Sequence, residues 1–350
     1  MIPFILKRLG SGVVVLLAVS ILTFSLLYVS SGSIARNILG DQATPEQLAV
    51  KEAELGLDQP IITRYISWLT DALGGNLGAS WFTSEPVANA LATRIPVTMT
   101  MVVVAMILIS IIATLIGVAA AVKRGWVDRV VQIGAIIGDS IPGFVIGIIL
   151  VTILAIQMGL FPATSTIAPG VDASAWVLSL TLPVIALLIN GVTGGAQQIR
   201  SAVIKQLERD YVRTLRSRGI GEREVLFKHV LRSAAPAGLT VLSLQLIGML
   251  GGVVILESIF ALPGMGPMAV TATIQSDQPV VMGVVMYTVA VVIVVNLIVD
   301  LLNGWLNPKV RVSRPSPSKP QLSRRPQAVP YQERPVRPAP WSGPQPSNAS

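Results

Sequence analysis

The chain has no cysteine and a single histidine, His229. Without cysteine there is no disulfide framework, no thiol nucleophile and no thiolate metal site. One histidine also removes any His-based metal cluster. Charge is scarce: 13% of the 350 residues are Asp, Glu, Lys or Arg, where a soluble domain carries about a quarter. Aromatics make up 5%, and no basic patch is interleaved with the stacking platforms that nucleic acid requires. The net charge of +8 therefore needs another explanation. No GxxxxGK[ST] phosphate loop occurs, so the chain does not bind ATP in that manner. No paired acids share a helix face and no nucleophile has a base nearby, so no catalytic residue is expected.

What the chain does have is apolar length. Hydrophobic residues make up 52% and the mean hydropathy is +0.69. Six runs, at 9–29, 97–122, 130–158, 176–196, 237–260 and 280–306, are long enough to cross a hydrocarbon core of roughly 30 Å as helices. Strand-like alternation is absent, which argues against a β-barrel. The expected fold is an all-α integral membrane protein with six transmembrane helices.

The basic residues orient it. Two lie at the N-terminus, three at 123–130, nine at 199–235 and eight from 306 onward, whereas Arg36, Lys51, Arg64 and Arg94 all fall in the first outer loop. By the positive-inside rule both termini and the 199–235 segment are expected in the cytoplasm. The charge then reports topology. Lys7 and Arg8 precede an apolar run longer than a signal peptide's core, so residues 1–30 read as a retained first helix.

Four parts are expected: the first helix at 1–30, an outer loop at 31–96, a core with five helices at 97–312, and a tail at 313–350. In the loop, Thr44-Pro45-Glu46-Gln47 has the form of a capping box that starts a helix ending near Gly56. A second helix is expected over 61–73, and together they would cap the outer mouth. The tail is dense in Pro and Ser and is expected to be disordered, its arginines solvated or touching anionic lipid.

Residues 210–236 are strongly charged and amphipathic, yet lie between apolar runs. Asp210 is placed as the N-cap of a helix through Arg218, with Tyr211, Val212 and Leu215 on its apolar side. Gly219 allows a turn at positive φ. Glu222 and Glu224 then open a second helix, with Lys228, His229 and Arg232 near its end, as the helix dipole favours. Composition alone leaves two readings open: a rigid knob gripped by a cytoplasmic partner, or an amphipathic helix lying on anionic lipid.

The residues of this segment resemble a known family. Tyr211-Val212-Arg213-Thr214-Leu215-Arg216-Ser217-Arg218-Gly219 is similar to the cytoplasmic motif of permease subunits of ATP-binding-cassette importers, in the dipeptide/oligopeptide/nickel branch. Gly219 falls on the motif glycine, and Arg213-Thr214-Leu215 stands where the general motif has Glu-Ala-Ala. Pro236 matches its closing proline only loosely. Leu55-Gly56-Leu57-Asp58-Gln59-Pro60 with Arg64-Tyr65, Glu257 through Gly266, and Asn296 through Asn303 with Asn307 to Arg311 also resemble that branch's first permease subunit. The likeness spans roughly residues 1–312 and leaves out the tail.

The resemblance implies a type I importer permease with a cytoplasmic coupling helix pair. It implies a heterodimer with a second permease, two ATPase subunits (or one fused pair) that bind ATP and magnesium, and an outer solute-binding protein. Asp210, Tyr211, Arg213, Thr214, Leu215, Arg216, Gly219 and Glu222 would couple the chain to the ATPase. The solute would be a di- or oligopeptide, with nickel chelates or haem as alternatives inside the branch. This chain itself would hold no cofactor.

Three acids fall inside expected spans: Asp139, Glu257 and Asp300. Charge in a membrane is costly and marks function or a structural pair. Asp139 and Ser140 precede Pro142, which should kink the third helix. Asp139 either lines the pathway, attracting a peptide ammonium, or is a structural acid satisfied at the kink. Glu257 is expected at the outer mouth, facing solute or binding protein; Asp300 reads as structural. A stand-alone proton-coupled transporter would use Asp139 and Asp300, but no basic residue lies inside an expected span to partner them. Gly134/Gly138, Gly143/Gly147 and Gly248/Gly252 have the spacing of close helix contacts, within the chain or with the second permease.

Overall fold

Uninterrupted runs of Leu, Ile, Val and Ala can satisfy their backbone in lipid only as helices or closed barrels. The computed structural model describes residues 2–30, 34–164 and 172–306, which form twelve helices and one isolated bridge, Ala79 with Pro86. The expected tail at 313–350 lies outside the described residues. The first four helices are α1 (Ile2–Ser30), α2 (Ile34–Leu39), α3 (Pro45–Glu54) and α4 (Ile61–Leu73). Then come α5 (Val87–Lys123), α6 (Trp126–Ser140), α7 (Gly143–Gln157) and α8 (Ala173–Leu207). The last four are α9 (Asp210–Ser217), α10 (Glu222–Ile259), α11 (Met265–Gln275) and α12 (Gln278–Leu306).

Five of these, α1, α5, α8, α10 and α12, are long and apolar enough to cross a membrane, and α6 with α7 passes the same test only as a bent pair, a broken span or a re-entrant loop. The expected kink at Pro142 is a break: the two halves meet at 88°. Pro142 has no N–H to continue the ladder, and Asn190 of α8 takes over the carbonyls left free. Its Nδ2 donates to the carbonyl oxygens of Gly138 and Ile141, each at 2.9 Å.

The core lies where α5 packs along α8. Its facing residues are small, so the backbones come close. A Cβ on Gly117 would meet the Ala196 carbonyl oxygen at 2.6 Å, and one on Gly191 would meet Ile109 Cδ1 at 2.2 Å. These glycines were not among those singled out by spacing. Of the latter, Gly138, Gly143 and Gly147 pack against Thr193, Asn190 and Leu256 within the chain, while Gly134, Gly248 and Gly252 face open space.

The two helices expected in the 31–96 loop form as the sequence indicates. Thr44 and Gln47 make both hydrogen bonds of the capping box, and α4 covers the expected 61–73. One face of α4 lies on α1. Tyr65 meets Phe24 edge-on at 5.4 Å between centroids and shares a 2.8 Å hydrogen bond with Ser20. Arg64 is buried, stacked over Tyr28, and donates to Gln278 Oε1 at 2.7 Å. Burial lowers its pKa, yet so strong a base keeps its charge. Arg64 thereby joins α1 to the start of α12.

Candidate functional site: a coupling segment and a cavity between spans

The segment expected to couple the chain to an ATPase begins where α8 ends. Asp210 is not the N-cap. Arg209 occupies that position with extended backbone and no side-chain cap, and Asp210 is the first helical residue. There its charge still favours the dipole's positive end. Val212 is fully buried beneath α9, while Asp210, Tyr211, Arg213, Thr214 and Arg216 are exposed.

The end of α9 is a Schellman motif. Gly219 has φ of +78°, its N–H bonds the Arg216 carbonyl at 2.9 Å, and the Ile220 N–H bonds that of Leu215 at 3.2 Å. Leu215 and Ile220 both pack against the core. Arg216 then reaches over the turn to Glu222, Nε to Oε1 at 2.7 Å and Nη2 to Oε2 at 2.9 Å. The planar fork of guanidinium on carboxylate fixes direction as well as distance.

The second helix of the expected pair is not a separate short piece. It is the start of α10, which runs without interruption through Pro236 to Ile259. No glycine intervenes between Gly221 and Pro236, so nothing there ends the helix, and a proline removes only one bond from a long one. Its first turns include a π-helical stretch, Val225–Val230, with both end valines buried. Phe227 within it is 67% exposed. Sequence reading passed over this residue; the signal was a large aromatic among Glu224, Lys228 and His229.

Ion pairs brace the base of the segment. Arg200 of α8 grips Asp128 of α6 through both guanidinium edges, Nη2 to Oδ2 at 2.7 Å, and Arg124 approaches Glu208 at 3.5 Å. Asp300 also has a basic partner, contrary to expectation: Arg8 of α1 meets it at 2.8 and 2.9 Å. The first span starts earlier than its apolar run suggested, and so carries Arg8 with it.

The three acids have separate surroundings. Glu257 is wholly buried, which corrects its placement facing solute. It accepts from Thr98 of α5 and from the Gly266 N–H at 2.7 Å, while the Met265 N–H donates to Thr98 at 2.9 Å. A Cβ on Gly264 would lie 2.2 Å from this carboxylate, so the Pro263-Gly264-Met265-Gly266 turn is shaped to wrap it. Asp139 is exposed and accepts from Thr193 Oγ1 at 3.2 Å rather than from its neighbour. Ser140 is turned back to the Ile136 carbonyl at 2.6 Å.

Between α7, α8 and α10 lies a cavity of about 350 Å³, lined among others by Phe144, Asn190, Gln245, Met249 and Leu256. Sequence reading identified neither amide. Among the described residues, no group of His, Cys, Asp and Glu could hold a metal ion.

The helical arrangement has a counterpart among solved structures. It matches a chain of the inward-facing methionine ABC transporter MetNI with TM-score 0.54 and 18% identity, covering 64% of this chain and all of that one. The family model for the binding-protein-dependent transport system inner membrane component matches residues 113–312, and its N-terminal companion matches 1–102. The chain belongs to this family: it is a multi-pass permease subunit of an ATP-binding-cassette importer and not an enzyme. A Brucella abortus chain, a peptide transport system permease protein by its provisional name, is 36% identical over 313 residues, 89% of this chain and 99% of that one. The probable peptide ABC transporter permease protein y4tP of Sinorhizobium fredii is 35% identical over 309 residues, 88% and 99%. The glutathione transport system permease protein GsiC of Salmonella choleraesuis is 33% identical over 312 residues, 89% and 99%.

Proposed function

We propose that this chain forms, with a second permease, the path by which di- or oligopeptides enter the cell, and that separate ATPase subunits drive it through residues 210–236. The observation that carries this reading is the fastening of α9. A helix of eight residues is too short to hold itself in water, yet this one is pinned by buried Val212, by the Gly219 turn and by Arg216 on Glu222. Its outer face is left exposed. Because α10 runs from this turn into a span, a push on α9 is delivered to the membrane as a rigid lever.

The peptide as solute is supported by the relatives, two named for peptides and one for glutathione, itself a small peptide. An outer solute-binding protein would deliver it, and the ATPase subunits would bind ATP and magnesium. The distribution of basic residues supports a cytoplasmic position for both termini and for the segment at 210–236. Asp210, Tyr211, Arg213, Thr214 and Phe227 form the face offered to the ATPase; Leu215, Arg216, Gly219 and Glu222 hold that face in place.

The test is recovery of this chain from detergent-solubilised native membranes, with mass spectrometry of what accompanies it, followed by uptake of labelled dialanine into membrane vesicles. A second permease, ATPase subunits and ATP-dependent uptake are expected. Uptake driven by a proton gradient in the purified chain alone would overturn the reading in favour of a secondary transporter.

A further inference from the structure

Two amides face the cavity between α7, α8 and α10, and each spends its nitrogen on the protein. Asn190 Nδ2 donates to the carbonyls of Gly138 and Ile141, and Gln245 Nε2 to that of Gly191 at 2.8 Å. Since an amide nitrogen must point at those carbonyls, the orientations are settled by chemistry. Their oxygens, Asn190 Oδ1 and Gln245 Oε1, are buried and have no hydrogen-bond partner among the described residues. Buried acceptors without partners are costly and rare, and two in residues that line one cavity call for a donor.

A negative charge stands close by. Asp139 approaches the Gln245 amide at Gly194: a Cβ there would lie 3.5 Å from Gln245 Nε2 and 3.6 Å from Asp139 Oδ1. No lysine, arginine or histidine among the described residues forms an ion pair with Asp139. A carboxylate in a span and turned to lipid would be expensive, so it belongs against a polar path or partner. Gly248 and Gly252 line the cavity, and nothing lies within 4 Å of where a Cβ on either would be.

We propose that this cavity is a subsite on the translocation path that receives a protonated amino group of the passing solute. An ammonium has three donors and no acceptor, which complements two free carbonyl oxygens and a nearby carboxylate. Phe144, Leu187, Met249 and Leu256 supply an apolar wall for the carbon skeleton beside it. The volume is at the small end of the roughly 300–1,000 Å³ typical of small-molecule sites, as suits one residue in transit. The inference rests on reading the chain as part of a peptide path, and it makes the permease itself a second selector after the binding protein.

The chain's lack of cysteine gives a direct test. In Gly252→Cys the only thiol of this chain projects into the cavity without displacing an atom. Its modification by aminoethyl and sulfonatoethyl methanethiosulfonate is followed by mass on this chain, in the assembled transporter in membrane vesicles, with and without ATP. Rates are normalised to those with free mercaptoethanol. The cationic reagent should be favoured about tenfold, as one charge-assisted contact allows, and Gln245→Leu or Asp139→Asn should each reduce that preference.

Protection by dialanine but not N-acetyl-dialanine would support an amino-group subsite. Added protection by Nα-acetyl-lysinamide would extend it to a side-chain ammonium. No preference, protection by none of these, or a thiol closed to both reagents by the partner permease in both states would overturn the proposal. Dialanine uptake into the same vesicles is read separately: its absence would defeat the peptide reading while the labelling still reports the cavity's own chemistry.

Discussion

Arg216 clasps Glu222 across the Gly219 turn with two hydrogen bonds, 2.7 and 2.9 Å, and so joins the exit of α9 to the start of α10. The two residues are six apart, too far for a helical pair, and meet only because the glycine reverses the chain. The pair is exposed, so its use lies in geometry more than in stability.

Removing the clasp should uncouple the machine while leaving the fold intact. Arg216→Ala and Glu222→Ala are each expected to cut ATP-driven uptake roughly tenfold, and the exchanged pair Arg216→Glu with Glu222→Arg to recover much of it. Uptake and ATP hydrolysis in reconstituted vesicles check this. Equal loss in the exchanged variant would show that the pair does not act as a unit.

Gly219 isolates the conformational contribution, because no atom lies within 4 Å of where its Cβ would be. Gly219→Ala should cost about 1–2 kcal/mol from positive φ alone, and Gly219→Asn less, since asparagine tolerates that region. Thermal melting in detergent should rank them Gly, Asn, Ala. Gly219→Pro should abolish coupling outright.

Phe227 offers a large apolar surface at 67% exposure on the coupling segment. Aromatic anchors of this kind often carry more than about 2 kcal/mol of an interface. Phe227→Ala should weaken capture of the ATPase subunits by at least tenfold with no fall in the permease's own melting temperature. Unchanged capture would remove Phe227 from the interface.

Glu257 should behave as a structural clamp. Glu257→Ala leaves Thr98 and the Gly266 N–H without their acceptor, at a cost of about 1–3 kcal/mol for each group. Gly266→Ala forces a Cβ to 2.6 Å from Val254 Cα. Both are expected to lower the yield of folded protein. A well-folded Glu257→Ala with altered solute preference would return the residue to the pathway.

Asn190 holds the break in the third span. Asn190→Ala strands the Gly138 and Ile141 carbonyls and should destabilise by about 1–3 kcal/mol. Asn190→Asp, which keeps the shape but loses the donor, should be nearly as harmful. Melting of the two variants in detergent against the parent chain checks this.

The local features were legible in the chain itself. Apolar length gave the spans, Thr44 to Gln47 the first loop helix, and the glycine at 219 the turn, because each depends on neighbours a few residues away. The segment at 210–236 stood out by its charge between apolar runs. Its true shape was less visible: Asp210 looked like a cap, and Pro236 like an end, because a proline that ends most helices is carried by a long one stabilised by packing.

What the tertiary structure alone decided are the pairings between distant residues. Pro142 marks a weak point in any sequence, but the break of 88° requires the amide of Asn190, 49 residues away from Ile141, to accept the work of the lost ladder. Arg8 neutralises Asp300 from the opposite end of the chain, and Thr98 turns Glu257 inward. Hydropathy assigns each segment to the membrane and leaves its rotation about its own axis undetermined; that rotation, set by the packing of α8 against α5, α6, α7 and α10, brings Asn190 and Gln245 to one cavity with Asp139 nearby.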